Sequence, residues 1–270
     1  MSFDLGPDIL FVPADRPERY AKAAERASAI IIDLEDGVAA AARPEARKAL
    51  IASQLDPEKT IVRINPRGHD DYDNDVNALR QTPYRYVMVP KAASAADVHL
   101  VDGYKKPYSV IGLIETADGV LNAATVAADP AVVALMWGAE DLVVSTGGSA
   151  SRGPDGTYLD LARFARSQVL IAAKAHGKGA IDSVYLDLED QEGLKAETLD
   201  AVWSGFNAKA VLHPAQAVTV RAAYAPTQEQ LDWAKGVLAA AEGEAGAFRY
   251  EGEMVDEVVL KRARALAALA

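Results

Sequence analysis

"SVIGLIETADGVLNAATVAADPAVVALMWGAED" (109–141) is the stretch whose reading decides the fold. It holds two short apolar runs, SVIGLIE (109–115) and AVVALMWG (131–138), with ADGVLNAATVAA (117–128) between them. Near-continuous apolar runs of this length read as strands buried on both faces, and the middle segment reads as a helix with Thr116 placed to cap it. Strands that alternate with helices are parallel and covered by those helices.

Outward from this unit the pattern repeats. Strand-like runs occur at 8–13, 29–33, 60–65, 84–91, 179–185 and 209–214, giving eight with the two above. Helical patterns fall at 16–27, 43–55, 74–80, 94–104, 160–177 and 190–206. Eight such repeats favour an α/β fold of the (β/α)8 barrel type over an open doubly wound sheet. Two further helical segments, 227–243 and 253–270, follow the eighth strand. The expected division is therefore a barrel domain over 1–226 and a C-terminal helical extension over 227–270, a lid or an oligomer contact.

Composition narrows the chemistry. A chain of 270 residues, half of them apolar, is long enough to bury a substantial core. There is no cysteine, so catalysis must rely on carboxylates, His, Lys, Arg, hydroxyls or a metal. A net charge of −11 argues against a general nucleic-acid surface. No run approaches a membrane span, and no basic leader precedes a long apolar segment at the N-terminus, so a cytoplasmic protein is expected.

In a barrel of this type the active site lies where the strands end. The polar residues at those positions are Arg16; Asp33, Glu35 and Asp36; Arg63 and Asn65; Lys91; Glu115; Asp141; Asp182; and His213. Carboxylates collected around an arginine suit a hard cation and an anionic substrate, and Mg2+ commonly uses one or two carboxylates with water and substrate completing its shell. Each residue has a structural alternative. Glu115 and Asp141 are either metal ligands or acids stabilising a helix start. Arg63 is either a structural ion-pair partner or a substrate anchor. Lys91 is a Schiff-base amine or a loop cation, and His213 a general base or a hydrogen-bonded structural residue. The glycine-rich loop TGGSASRGPDG (146–156) fits no nucleotide-binding pattern, and its Arg152 is a further candidate for substrate contact. The two DLED segments (33–36 and 187–190) sit in different contexts and do not indicate a repeat.

Eight segments in order, LFVPADRPERYAKA, AIIIDLEDGVA, RINPRG, VMVPKA, GLIETADGV, WGAEDL, AIDSVYLDLEDQEGL and KAVLHPAQ, resemble the citrate lyase β-subunit-like group of the HpcH/HpaI aldolase superfamily over nearly the whole chain. The resemblance implies a TIM barrel, commonly a homotrimer, with Mg2+ as cofactor held by Glu115 and Asp141. It also implies that Arg63 contacts the substrate's oxygens. The backbone of Gly138, Ala139, Glu140 and Asp141 would lie against a substrate carboxylate, and Asp256, in GEMVDE (252–257), would reach a neighbouring subunit's site as proton carrier. The chain departs from its relatives at Ala208 and Arg221, near the expected thioester contacts. The implied activity is a carbon–carbon lyase acting on 3-hydroxyacyl thioesters such as citryl-CoA, malyl-CoA or 3-hydroxy-3-methylglutaryl-CoA. The alternatives are a metal-dependent aldolase for free 2-oxo acids such as pyruvate, and a non-catalytic subunit of a citrate lyase-like complex.

Overall fold

The computed structural model describes residues 3–99, 107–244 and 246–268. Eight parallel strands close into a barrel in chain order: β1 (Asp8–Pro13), β2 (Ala29–Asp33), β3 (Thr60–Arg63), β4 (Tyr86–Val89), β5 (Ser109–Ile114), β6 (Val132–Trp137), β7 (Gly179–Asp182) and β8 (Ala208–Val211). Helices α1 (Tyr20–Arg26), α2 (Arg43–Ala52), α3 (Tyr72–Leu79), α4 (Ala95–Val98), α5 (Ala117–Ala128), α6 (Ala139–Thr146), α7 (Asp160–Ala175), α8 (Gln191–Ser204) and α9 (Pro214–Tyr224) follow or separate the strands. Strands such as β2, AIIID, are buried at every position because one face meets the barrel interior and the other meets the helices. Thr116 caps α5, its hydroxyl accepting from the Gly119 N–H at 3.1 Å.

The alternation of side chains along each strand fixes what reaches the barrel interior. Ile9, Ile31, Ile61, Met88, Ile111, Leu113, Ala134, Met136, Ile181 and Ala210 form its core cluster. Two residues further along the same phase stand Phe11, Asp33, Arg63, Glu115, Gly138, Ser183 and Leu212. The register pairs Asp33 with Arg63 across β2 and β3, and Ile114 with Trp137 across β5 and β6, so Glu115 and Gly138 lie side by side.

Several elements differ from the expectations. Most strands are shorter by a residue or more at their C-terminal ends, where the chain turns polar. The helix expected over 94–104 is the single turn α4, with positions 100–104 outside the described residues. Helix α9 was not anticipated, although Pro214 is pre-shaped for a first helical position. The segment expected to be helical over 253–270 begins instead as β10 (Glu253–Val255), paired antiparallel with the preceding β9 (Phe248–Tyr250), and only then forms α11 (Glu257–Ala267). Glu251 (φ 46) and Gly252 (φ 93) both sit in the left-handed region, the backbone a two-residue hairpin turn demands.

Internal contacts divide the chain between Arg221 and Ala222 into two compact units. The second holds α10 (Gln228–Ala240), the hairpin and α11 around Ala234, Val237, Val255 and Ala263. Its first helix starts with a capping box in which Thr227 and Gln230 satisfy each other's backbone N–H groups. Among the described residues no helix is long and apolar enough to cross a membrane.

Candidate active site

At the C-terminal mouth of the barrel the in-phase side chains surround a cavity of about 360 Å³. It is lined by Phe11, Asp33 and Arg63 from the strands, by Glu115 and Ser183 one residue beyond β5 and β7, and by Asp36, Gly138, Ala139, Glu140 and Asp141 from other loops and α6. Arg63 is the fixed point. Its Nε and Nη2 donate to the two oxygens of Asp33 at 2.7 Å each, and Nη1 lies 2.9 Å from Glu35 Oε2. Asp33 is itself held by the Glu35 N–H (2.9 Å) and the Gly37 N–H (2.8 Å). A bidentate guanidinium so clamped, with its face 5.0 Å from the Phe11 ring, has one orientation.

Glu115 is buried, and its Oε1 accepts the Lys91 N–H at 3.0 Å. A Cβ on residue 138 would stand 2.8 Å from Glu115 Oε2 and 2.9 Å from Glu115 Cβ, so this approach requires glycine. Asp141, in the first turn of α6, has Oδ1 3.5 Å from Lys91 Nζ. Lys91 Nζ also donates to Glu35 Oε1 at 2.6 Å. The acids Asp33, Glu35, Glu115 and Asp141 thus outnumber the cations Arg63 and Lys91. Burial, with Glu35 and Asp141 nearby, pushes the Glu115 carboxyl up to about 8. Burial likewise raises Glu35, against the pull of Arg63 and Lys91. Burial alone would lower the Lys91 ammonium, but Glu35 and then Glu115 and Asp141 hold it above the ordinary lysine value, which counts against a Schiff-base amine.

Of the remaining candidates, Asp36 and Glu140 line the cavity and the others do not. Arg16 is exposed beside Asp15 and does not line the cavity. Asp36 lines it as an exposed residue. The Glu140 carboxylate accepts from Ser151 Oγ at 2.7 Å. Asn65 is fully buried and donates from Nδ2 to Leu34 O (3.1 Å) and to Asp75 (2.6 Å), bracing the chain that carries Asp33. The exposed His213 accepts the Ala215 N–H at the start of α9. Asp256 caps α11, accepting from Val258 N (2.9 Å) and Val259 N (3.1 Å).

Asp182 corrects an expectation. It stands one residue out of phase with Ile181 and points into the wall between barrel and helices. There it accepts from Trp137 Nε1 (2.7 Å), Arg166 Nε (2.8 Å) and the fully buried Lys209 (2.9 Å). Arg152 belongs to the same network, donating to Glu197 at 2.6 Å and stacking 3.6 Å from the Tyr158 ring. The sequence reading passed over Phe11, Ser183 and Asp75. Phase along the strand would have found the first two, whereas no local signal distinguishes Asp75 from other acids opening a helix.

A family model described as HpcH/HpaI aldolase/citrate lyase matches residues 8–214. The chain belongs to this family. Among HpcH/HpaI relatives, the citrate lyase subunit beta-like protein of Mycobacterium tuberculosis H37Rv is 52% identical over 97% of this chain and 94% of its own length. Human mitochondrial citramalyl-CoA lyase is 30% identical, covering 97% of this chain and 84% of its own. The crystal structure of CitE from M. tuberculosis, in complex with magnesium, acetoacetate and coenzyme A, superposes with a TM-score of 0.93 at 51% identity over 98% of each chain.

Proposed function

We propose that the chain is a Mg2+-dependent carbon–carbon lyase that cleaves or forms a 3-hydroxyacyl-CoA or related thioester. One observation carries this reading: a buried glutamate and a neighbouring aspartate converge beside a clamped arginine in an acid-rich cavity. The donor set fits the ion. Glu115 and Asp141 offer hard oxygens, Glu115 Oε2 accepts no hydrogen bond from the described residues, and burial, with Glu35 and Asp141 nearby, raises the Glu115 carboxyl where a bound dication would offset the cost of ionising it. Among the described residues no group of three or more His, Cys, Asp or Glu is arranged to hold a metal, and Mg2+ needs only one or two carboxylates when water and substrate complete its shell. A relative solved with magnesium, acetoacetate and coenzyme A supports the same reading.

A bound Mg2+ would supply a Lewis-acidic charge beside the substrate's oxygens. Arg63, immobilised by Asp33, would balance the negative charge that develops as the carbon–carbon bond breaks. The N-terminus of α6, at Gly138 to Asp141, has no side-chain cap, and its first-turn N–H groups beyond Gly138, whose own N–H donates to Ile114 O at 3.0 Å, would lie against a substrate carboxylate. The proton of the 3-hydroxyl must leave as the bond breaks, and the departing thioester enolate must take one up. Asp256 is proposed as that proton carrier, donated to a neighbouring copy within a homotrimer, with residues 227–270 serving as lid or oligomer contact. A cytoplasmic location is part of the proposal.

The test is a panel of CoA thioesters incubated with the purified chain and assayed for released oxo acid. Turnover is expected with Mg2+, with loss in EDTA and in Glu115→Ala. Full activity in EDTA would end the metal reading. Turnover of free pyruvate and an aldehyde alone would favour the 2-oxo-acid aldolase, and inactivity on every substrate would favour the non-catalytic subunit. A monomer by light scattering would exclude a shared Asp256.

A further inference from the structure

Lys91 joins three separate parts of the mouth. It follows Pro90 at the end of β4, and its φ of 54 is a left-handed conformation that costs a residue with a β-carbon some strain. This backbone turn aims the N–H of Lys91 at Glu115 Oε1, 3.0 Å away, while Oε2 faces Gly138. The same residue sends its ammonium to Glu35 Oε1 at 2.6 Å and to within 3.5 Å of Asp141 Oδ1. The loop after β2, the end of β5 and the first turn of α6 therefore converge on one residue, the first and last through its ammonium and the second through its backbone N–H.

We infer that Lys91 is the resident counter-cation of the acid cluster, a positioning residue that holds Glu35 and Asp141 together and weakens the site's hold on a divalent ion. This rests on the metal reading given above. An ammonium beside Asp141 competes with an incoming dication for the same carboxylate and repels it through space. The acids stay paired in the absence of the ion, and the ion that does bind exchanges readily. A purely structural lysine would make the opposite prediction, because its loss would loosen the acids and weaken the site.

The experiment is titration of Mn2+ into the metal-free full-length chain, followed by electron paramagnetic resonance, at low and high salt. Lys91→Met keeps a β-carbon and a long side chain at the left-handed position, so its backbone strain is unchanged. It is expected to bind Mn2+ about fivefold more tightly than the unmodified chain at low salt, the size of a partly exposed ion-pair contribution, with the gain shrinking as salt rises. Lys91→Gln, which can still donate to Glu35, should follow Lys91→Met, and Lys91→Arg should remain near the unmodified chain. Equal or weaker Mn2+ binding by both neutral variants, with unfolding temperatures showing them folded, overturns the inference. If one neutral variant is unfolded, the other decides. If the unmodified chain binds no Mn2+, the metal reading itself fails and the inference falls with it; binding by that chain without a gain in the variants sinks the inference alone.

Discussion

Two clusters of buried charge sit within one barrel, and they behave in opposite ways. At the mouth, Asp33, Glu35, Glu115 and Asp141 share Arg63 and Lys91, and burial drives Glu115 up to about 8. In the wall, Asp182, Glu197 and Asp200 meet Arg152, Arg166 and Lys209, each acid with a cation in contact. Burial alone would raise Asp182, yet Lys209 and Arg166 bring it down to about 2. Glu115 and Asp182 are both buried, so charge balance makes the difference between them. A balanced buried network is a structural joint, whereas an acid-rich one retains capacity for a cation from outside.

The largest expected effect separates the clusters directly. Asp182→Ala leaves Lys209 and Arg166 without their buried partner and should lower the stability of the metal-free chain by about 3–5 kcal/mol in a urea titration. Glu115→Gln in the same assay should leave stability unchanged or raise it above neutral pH, because it removes an uncompensated charge. Equal losses in the two variants would break the comparison.

A second contrast lies in the pH dependence. The Asp182 carboxyl is lower folded than its ordinary 3.8, so its contribution of about 2 kcal/mol is present above 3.8 and disappears as pH falls through about 2. Glu115 is raised from 4.5 to about 8, so the folded metal-free chain holds a proton that the unfolded chain has released. The stability linked to that proton is complete below 4.5 and is lost as pH rises through about 8. Urea midpoints at pH 5 and pH 8 should show the fall, and Glu115→Gln should flatten it. A chain whose metal-free stability does not change across that window would remove Glu115 from the argument.

The smallest effects concern the ion itself. Mg2+ requires ionised Glu115, so its affinity should tighten by up to about tenfold per pH unit below 8 and level off above, as calorimetry would show. Gly138→Ala pushes a methyl group against Glu115 and should weaken Mg2+ by about tenfold or more while the barrel stays folded. An unchanged affinity would mean that Glu115 has room the distances deny.

Much of this was legible beforehand, for an identifiable reason. Parallel strands buried on both faces announce themselves as apolar runs, and the turn from apolar to charged residues marks the mouth, which is why Arg63, Glu115 and Asp141 could be named from position alone. Asp182 was grouped with them because strand ends were read without regard to phase; one residue decides between cavity and wall. The pairing of Lys91 with Glu35 joins the ends of β4 and β2, and no local pattern encodes a contact of that span. The hairpin before α11 was hidden for another reason. Met254 and Val255 also fit a helical spacing, and only the left-handed pair Glu251 and Gly252 commits the backbone to a turn.

The two-residue rhythm of the strands also limits how such an enzyme could change over evolutionary time. A one-residue insertion within β5 would rotate Glu115 out of the cavity and carry a neighbour in, exchanging the reactive lining for the scaffold's in one event. New chemistry can therefore be acquired by substitution at in-phase sites or by remodelling the loops beyond them, while the length of the staves themselves is held fixed.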